Sequence, residues 1–115
     1  MTDAELLELA ARAHGDVKRS IACNGEWVLA GNFFRAPPRW NPLKYSDDAF
    51  ELMVKLGIET YTEHDDEDGH AYQYAGHGLP GERIKYAIEP HGGDAFAATR
   101  RAIVRCAAEV GKGMK

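Results

Sequence analysis

The segment from Trp40 to Gly57 constrains the fold more than any other part of the chain. Asn41-Pro42 reads as a turn, and just before it Pro37 and Pro38 exclude a helix interior or a central strand position. Ser46 then reads as a helix N-cap, because its hydroxyl can accept from an early orphan amide. Asp47 and Asp48 sit where the positive end of the helix macrodipole favours carboxylates. Phe50, Met53, Val54 and Leu56 supply an apolar stripe, and Gly57 gives the helix a left-handed stop. Trp40 and Tyr45 anchor the two ends of the turn.

Signals of the same kind order the rest of the chain. Thr2 and Glu5 have capping-box spacing, Leu6, Leu9, Ala10 and Ala13 recur at helical spacing, and Gly15 closes that first helix. Val17–Cys23 and Glu26–Ala30 are β-capable runs around Asn24-Gly25, a pair that favours a two-residue type I′ hairpin. In that register Trp27 and Leu29 share a face with Ala22 and Ser20, and their bulk directs it to the core. Residues 31–45 form an irregular connector containing Phe33, Phe34, Pro37 and Pro38. Ile58–Glu63 and Ala71–Ala75 alternate on either side of an acidic turn and predict a second hairpin. Gly76–Glu82 reads as a loop, and Arg83–Ile88 as a period-two strand with Ile84, Tyr86 and Ile88 on one face. The last helix runs from an Asp94 cap to Val110. It sets Phe96, Thr99, Ile103, Cys106, Ala107 and Val110 on one side and Arg100, Arg101, Arg105 and Glu109 on the other, with Arg105 and Glu109 as an i,i+4 pair. The order α-β-β-α-β-β-β-α predicts one α+β domain over residues 1–115, a sandwich with helices packed on a mainly antiparallel sheet.

Composition narrows the class. With 115 residues, 44% apolar and 28% charged, the chain can bury one modest core and is not expected to be disordered. A formal charge of -4 gives no polycationic surface for nucleic acid and no strong acidic mimic of it. The apolar runs are too short to span a bilayer, so no membrane partner is expected, and the acidic start at Thr2, Asp3 and Glu5 does not resemble a signal peptide. Cys23 and Cys106 differ in spacing and context, and read as thiols of a reducing compartment rather than as a disulfide framework.

Four places carry residues with chemical potential. His64-Asp65-Asp66-Glu67-Asp68-Gly69-His70, with His77 beyond, holds imidazoles and carboxylates that suit zinc, nickel or iron. An exposed acidic turn is the simpler reading, since Asp and Gly are ordinary turn residues and the calcium-loop order of ligands is absent. The glycines of Gly76–Arg83 and of His91-Gly92-Gly93-Asp94 lack the phosphate fingerprints, so no cofactor is expected. No local signature joins a thiol to a base, so no catalytic residue is assigned. Finally, Arg100, Arg101, Arg105, Lys112 and Lys115 make the C-terminal end basic, while residues 59–70 are acidic. An interaction surface combining Arg100, Arg101 and Arg105 with Asp65, Asp66 and Glu67 could meet another protein or a second copy of the chain. Nucleic acid is the less favoured partner, because aromatics do not interleave with these bases.

Trp40-Asn41-Pro42-Leu43, Asp47-Asp48-Ala49, Leu52–Gly57 with Val54-Lys55-Leu56, and Ala98–Arg105 together resemble the phage ABA sandwich domain family, small proteins of tailed phages and prophages. Glu5–Ala11 is similar to that family's first helix. The resemblance implies an α/β/α-like sandwich and a non-enzymatic accessory protein in the host cytoplasm, acting on a host or phage protein. It carries over no catalytic motif. Ile58–Ile88 matches no pattern of the family, so its histidines inherit no role. Two other readings stand beside it: a small metal-dependent enzyme or ligand binder centred on His64, His70 and His77, and a nucleic-acid-binding regulator using the last helix.

Overall fold

The computed structural model of the chain describes residues 1–20, 26–29, 40–65, 67, 69–79 and 82–114. The elements follow in the expected order: α1 (Asp3–His14), β1 (Val17–Ser20), β2 (Glu26–Leu29), α2 (Ser46–Leu56), β3 (Glu59–His64), β4 (Ala71–Leu79), β5 (Glu82–Pro90) and α3 (Ala95–Lys112). β1 pairs with β2, and β3, β4 and β5 form a second antiparallel sheet with β4 in the middle. This is an α+β fold with helices packed on antiparallel strands.

Local chemistry sets the helix ends. Thr2 caps α1 by accepting from the Glu5 amide at 3.2 Å, and Gly15 leaves it at φ 90°. Asp94 caps α3 by accepting from the Ala97 amide at 3.0 Å. At α2 the cap lies one residue earlier than the sequence suggests: Tyr45 occupies it, its side chain making no capping hydrogen bond, and Ser46 is the first helical residue. The buried Asp48 carboxylate instead accepts the Asn41 N–H at 2.9 Å, while Asn41 Oδ1 accepts from Leu43 and Lys44. The Asn41-Pro42 turn is therefore stapled to the helix that follows it.

α3 is the central element, packed against α1, α2, β4 and β5. Its buried residues, from Ala98 and Ala102 through Cys106, Ala107 and Ala108 to Gly111, spread over more than half of the helix circumference. The sheet meets it through Ala75 and Ala87, so the small residues of β4 and β5 face inward. Tyr86 and Ile88 do share a face, as their spacing predicts, but it is the solvent face. Among the described residues no helix covers that face, and the layering is sheet against helices rather than sheet between two helical layers.

Three sequence expectations shift. β1 and β2 pair as Val17↔Leu29 and Arg19↔Trp27, a register offset from the Asn-Gly hairpin, whose turn lies outside the described residues. The observed register lays the Arg19 guanidinium 5.0 Å over the Trp27 ring and buries Val17. Gly76–Leu79 is strand rather than loop, with a bulge between His77 and Gly78. Gly76 belongs in the strand because the Tyr74 ring lies across it; a β-carbon there would sit 2.7 Å from the Tyr74 hydroxyl oxygen. In α2, Phe50 and Val54 are exposed, and Ala49 and Leu52 are buried in their place.

A polar corner joins α1 to α2. His14 is buried, with Nε2 2.7 and 3.0 Å from the two Glu51 carboxylate oxygens and Nδ1 accepting from the Asp16 N–H at 3.2 Å. Since Nδ1 accepts, Nε2 carries the proton it donates. Trp40, 2% exposed, meets the imidazole edge-on at 5.8 Å. Beside it Lys55 pairs with Asp16, and the hydrogen bond and charge of Lys55 hold that carboxyl below its usual range. Replacing Glu51 with Leu leaves the buried His14 N–H without its acceptor and is expected to cost about 1–3 kcal/mol in urea denaturation. Glu51→Gln keeps an acceptor and is expected to cost less; equal losses would contradict this account of the corner.

Candidate functional site

The three arginines of the last helix are held by the fold itself. Arg100 Nε donates to the Leu43 carbonyl at 3.1 Å and Nη1 to Ser46 Oγ at 3.0 Å. Arg101 meets Asp3 at 2.9 Å and Glu89 at 3.4 Å. Arg105 meets the same Glu89 at 2.7 Å and the Ile88 carbonyl at 3.2 Å. Glu109 pairs with Lys112 at 2.8 Å, not with Arg105 as its spacing suggests, because the better-buried Glu89 draws the guanidinium across to β5. Arg101 and Arg105 line a groove of about 410 Å³ with Glu89, Glu109 and Tyr86, in which cations and carboxylates alternate. Each of the three arginines thus has a protein acceptor.

The acidic segment is a turn by its hydrogen bonds. Asp65 accepts the Glu67 N–H on Oδ1 at 2.9 Å and the Gly69 N–H on its carbonyl at 2.8 Å, which is ordinary Asx-turn chemistry. Asp65, Glu67, His64 and His70 are exposed; Asp66 lies outside the described residues. The hairpin brings His64 and His70 to one end, His64 opposite Ala71 and Asp65 opposite His70. His77 is not brought to them. It pairs with Lys85, roughly 24 Å along β4 from His70 at about 3.4 Å per residue. Among the described residues no group of three His, Cys, Asp or Glu side chains gathers as a metal cage would require. The hydrogen bonds and ion pairs of the three arginines run to Asp3, Ser46, Glu89 and main-chain carbonyls, and none runs to Asp65 or Glu67.

Other candidates resolve in the same way. Gly92, at φ 60°, turns the chain into α3, but the Asp94 carboxylate takes the Ala97 amide that an anion would use. His91 Nε2 lies 3.1 Å from Gln73 Oε1, within a network in which Gln73 also bonds Thr60 and Thr62 under the sheet. Cys106 is buried in the core, which pushes its thiol up to about 12. A nucleophile needs the thiolate, so Cys106 is structural; Cys23 lies outside the described residues.

What the sequence left unseen is apolar. Phe50 and Val54 of α2 are each 63% exposed and Phe96 of α3 is 76% exposed. Phe50 and Phe96 flank a groove of about 240 Å³ between α2 and α3, lined also by Ala49, Met53, Ile103 and Thr60. On the opposite face of the sheet Tyr61, Tyr74 and Tyr86 stack across three strands, at 4.7 Å and then 6.2 Å between ring centroids. Desolvation raises the Tyr61 and Tyr74 hydroxyls, and for Tyr61 the hydrogen bond it donates to Glu63 at 3.0 Å adds to this. These hydroxyls are therefore neutral donors at physiological pH. The sequence did contain a signal for the α2 surface: 49, 52, 53 and 56 make one helical stripe and 50 and 54 a second, and both cannot face α3.

No protein-family model, curated protein or solved structure matches the chain.

Alkylation provides the test for the thiols. In the native protein at mildly alkaline pH, peptide mapping after iodoacetamide treatment is expected to find Cys106 unmodified, and modified fully once urea unfolds the chain. Rapid native modification would contradict its placement.

Proposed function

We propose that this chain is a non-enzymatic accessory protein of a phage or prophage that works in the host cytoplasm through contacts with another protein. The phage setting rests on the resemblance of Trp40–Gly57 and Ala98–Arg105 to the phage sandwich family. The mode of action rests on one observation: Phe50 and Phe96 stand exposed around an apolar groove of about 240 Å³. Large apolar side chains clustered on a surface mark an interface, because covering each phenylalanine contributes about 1.5–3 kcal/mol. The alternatives have less behind them. The three histidines of the metal reading are dispersed, and the arginines of the nucleic-acid reading are paired with Asp3, Glu89 and main-chain carbonyls.

Tagged wild type and a Phe50→Asp, Phe96→Asp double variant distinguish these ideas when used to capture partners from the host. The double variant is expected to keep its circular-dichroism spectrum, since both side chains are exposed, and to lose its partner by roughly a hundredfold or more in affinity. Capture of the same partner with equal affinity by both proteins would sink the proposal.

A further inference from the structure

The two edges of the second sheet are built differently. The Asp65 amide donates to the His70 carbonyl at 2.9 Å, which fixes the alternation of the β3–β4 ladder. The backbone groups of Glu59, Tyr61 and Glu63 are thereby turned toward β4, and those of Thr60, Thr62 and His64 toward the open side. On β5 the His91 amide donates to Ala71 at 2.9 Å, so Ile88 and Pro90 point their backbone outward. There Pro90 has no N–H to offer, and Arg105 covers the Ile88 carbonyl at 3.2 Å. The β5 edge is closed at this end. Among the described residues no strand pairs with the outer edge of β3.

The open edge adjoins the apolar groove. Thr60 belongs to both: it lies on β3 and helps to floor the space between α2 and α3, beneath Phe50 and Phe96. A strand laid beside β3 would point alternate side chains into that groove. Charge states what such a strand carries. Glu59, Glu63, Asp65 and Glu67 are exposed along β3 and its turn, and no lysine or arginine occurs between Lys55 and Arg83. Antiparallel pairing of β3 with its counterpart in a second copy would set glutamates against glutamates, which is unfavourable.

We propose that the open edge of β3 and the α2–α3 groove together bind an extended segment of a partner protein, in which basic residues alternate with others and one large apolar side chain enters the groove. The inference rests on the protein-contact reading above and deepens it. Main-chain pairing supplies generic affinity, the groove between Phe50 and Phe96 selects the anchor, and the acidic strand selects the charge.

The probe is a synthetic peptide alternating lysine with valine around one central phenylalanine, titrated into the isotope-labelled full chain. The expected result is saturable binding, weakened by salt, with shifts at the Thr60, Thr62 and His64 amides and the Ile103 methyls. Thr62→Pro, which removes an outward N–H, should weaken binding roughly tenfold or more. N-methylation of the peptide's pairing amides should do the same with the protein unaltered, so a folding defect in Thr62→Pro cannot decide the matter. Replacing the peptide lysines with glutamate should abolish binding. The proposal is overturned by no binding, by shifts confined to the Tyr61–Tyr86 face, by binding indifferent to N-methylation, or by concentration-dependent shifts at these amides without peptide, which would make a second copy the occupant. If the peptide fails while the Phe50→Asp, Phe96→Asp variant still loses its host partner, this inference falls and the protein-contact reading stands; if that variant also keeps its partner, both fall.

Discussion

The close approach of α3 to its neighbours is the constraint on which the rest of the structure depends. A β-carbon at Gly111 would overlap the Leu9 carbonyl oxygen of α1 and lie 2.8 Å from the carbonyl carbon. On the other side, Ala102 and Cys106 share a buried cluster with Ala75 and Ala87 of the sheet. A helix can be buried on two sides at such short range only if its side chains are small. Ala98, Ala102, Ala107, Ala108 and Gly111 meet that demand. Arg100, Arg101 and Arg105 then fasten the same helix to the α2 turn, the start of α1 and β5.

A core built from small residues has a consequence for the surface. Where α3 comes nearest the sheet, Ala75 and Ala87 fill the space, and β5 turns Ala87 inward and Tyr86 and Ile88 outward. In α2, Ala49 and Leu52 are buried and Phe50 and Val54 are left in solvent. The apolar surface that the functional reading uses is thus a by-product of tight interior packing. It is also placed where, among the described residues, β3 keeps an open edge, while β5 is closed at its Ile88–Pro90 end by Pro90 and Arg105.

The sequence was most legible where a single residue type answers a single backbone need. Thr2, Gly15, Gly57 and Asp94 mark helix ends because few other residues satisfy orphan amides or left-handed turns. It was least legible where tertiary partners choose between local options. Asn24-Gly25 suggested one hairpin register, but burial of Val17 and the stacking of Arg19 on Trp27 accompany another. Gly76 looked like loop until the Tyr74 ring was seen to lie across it. Helical periodicity placed Met53 and Leu56 against the core, but Phe50 and Val54, on the adjoining arc, are exposed while Ala49 and Leu52 are buried. The same limit applies to function: residue types drew attention to the arginines, but the groups that hold them, Asp3, Leu43, Ile88 and Glu89, are not their neighbours in the chain.

The close contact of α1 with α3 is measured directly by Gly111→Ala. In a helix position with room, replacing glycine by alanine stabilises by about 0.5–1 kcal/mol. If Leu9 presses on Gly111 as described, urea denaturation will instead find the variant less stable by about 1–3 kcal/mol, the range for overpacking. A variant as stable as wild type, or more so, would contradict the packing from which the exposed phenylalanines and tyrosines have been derived.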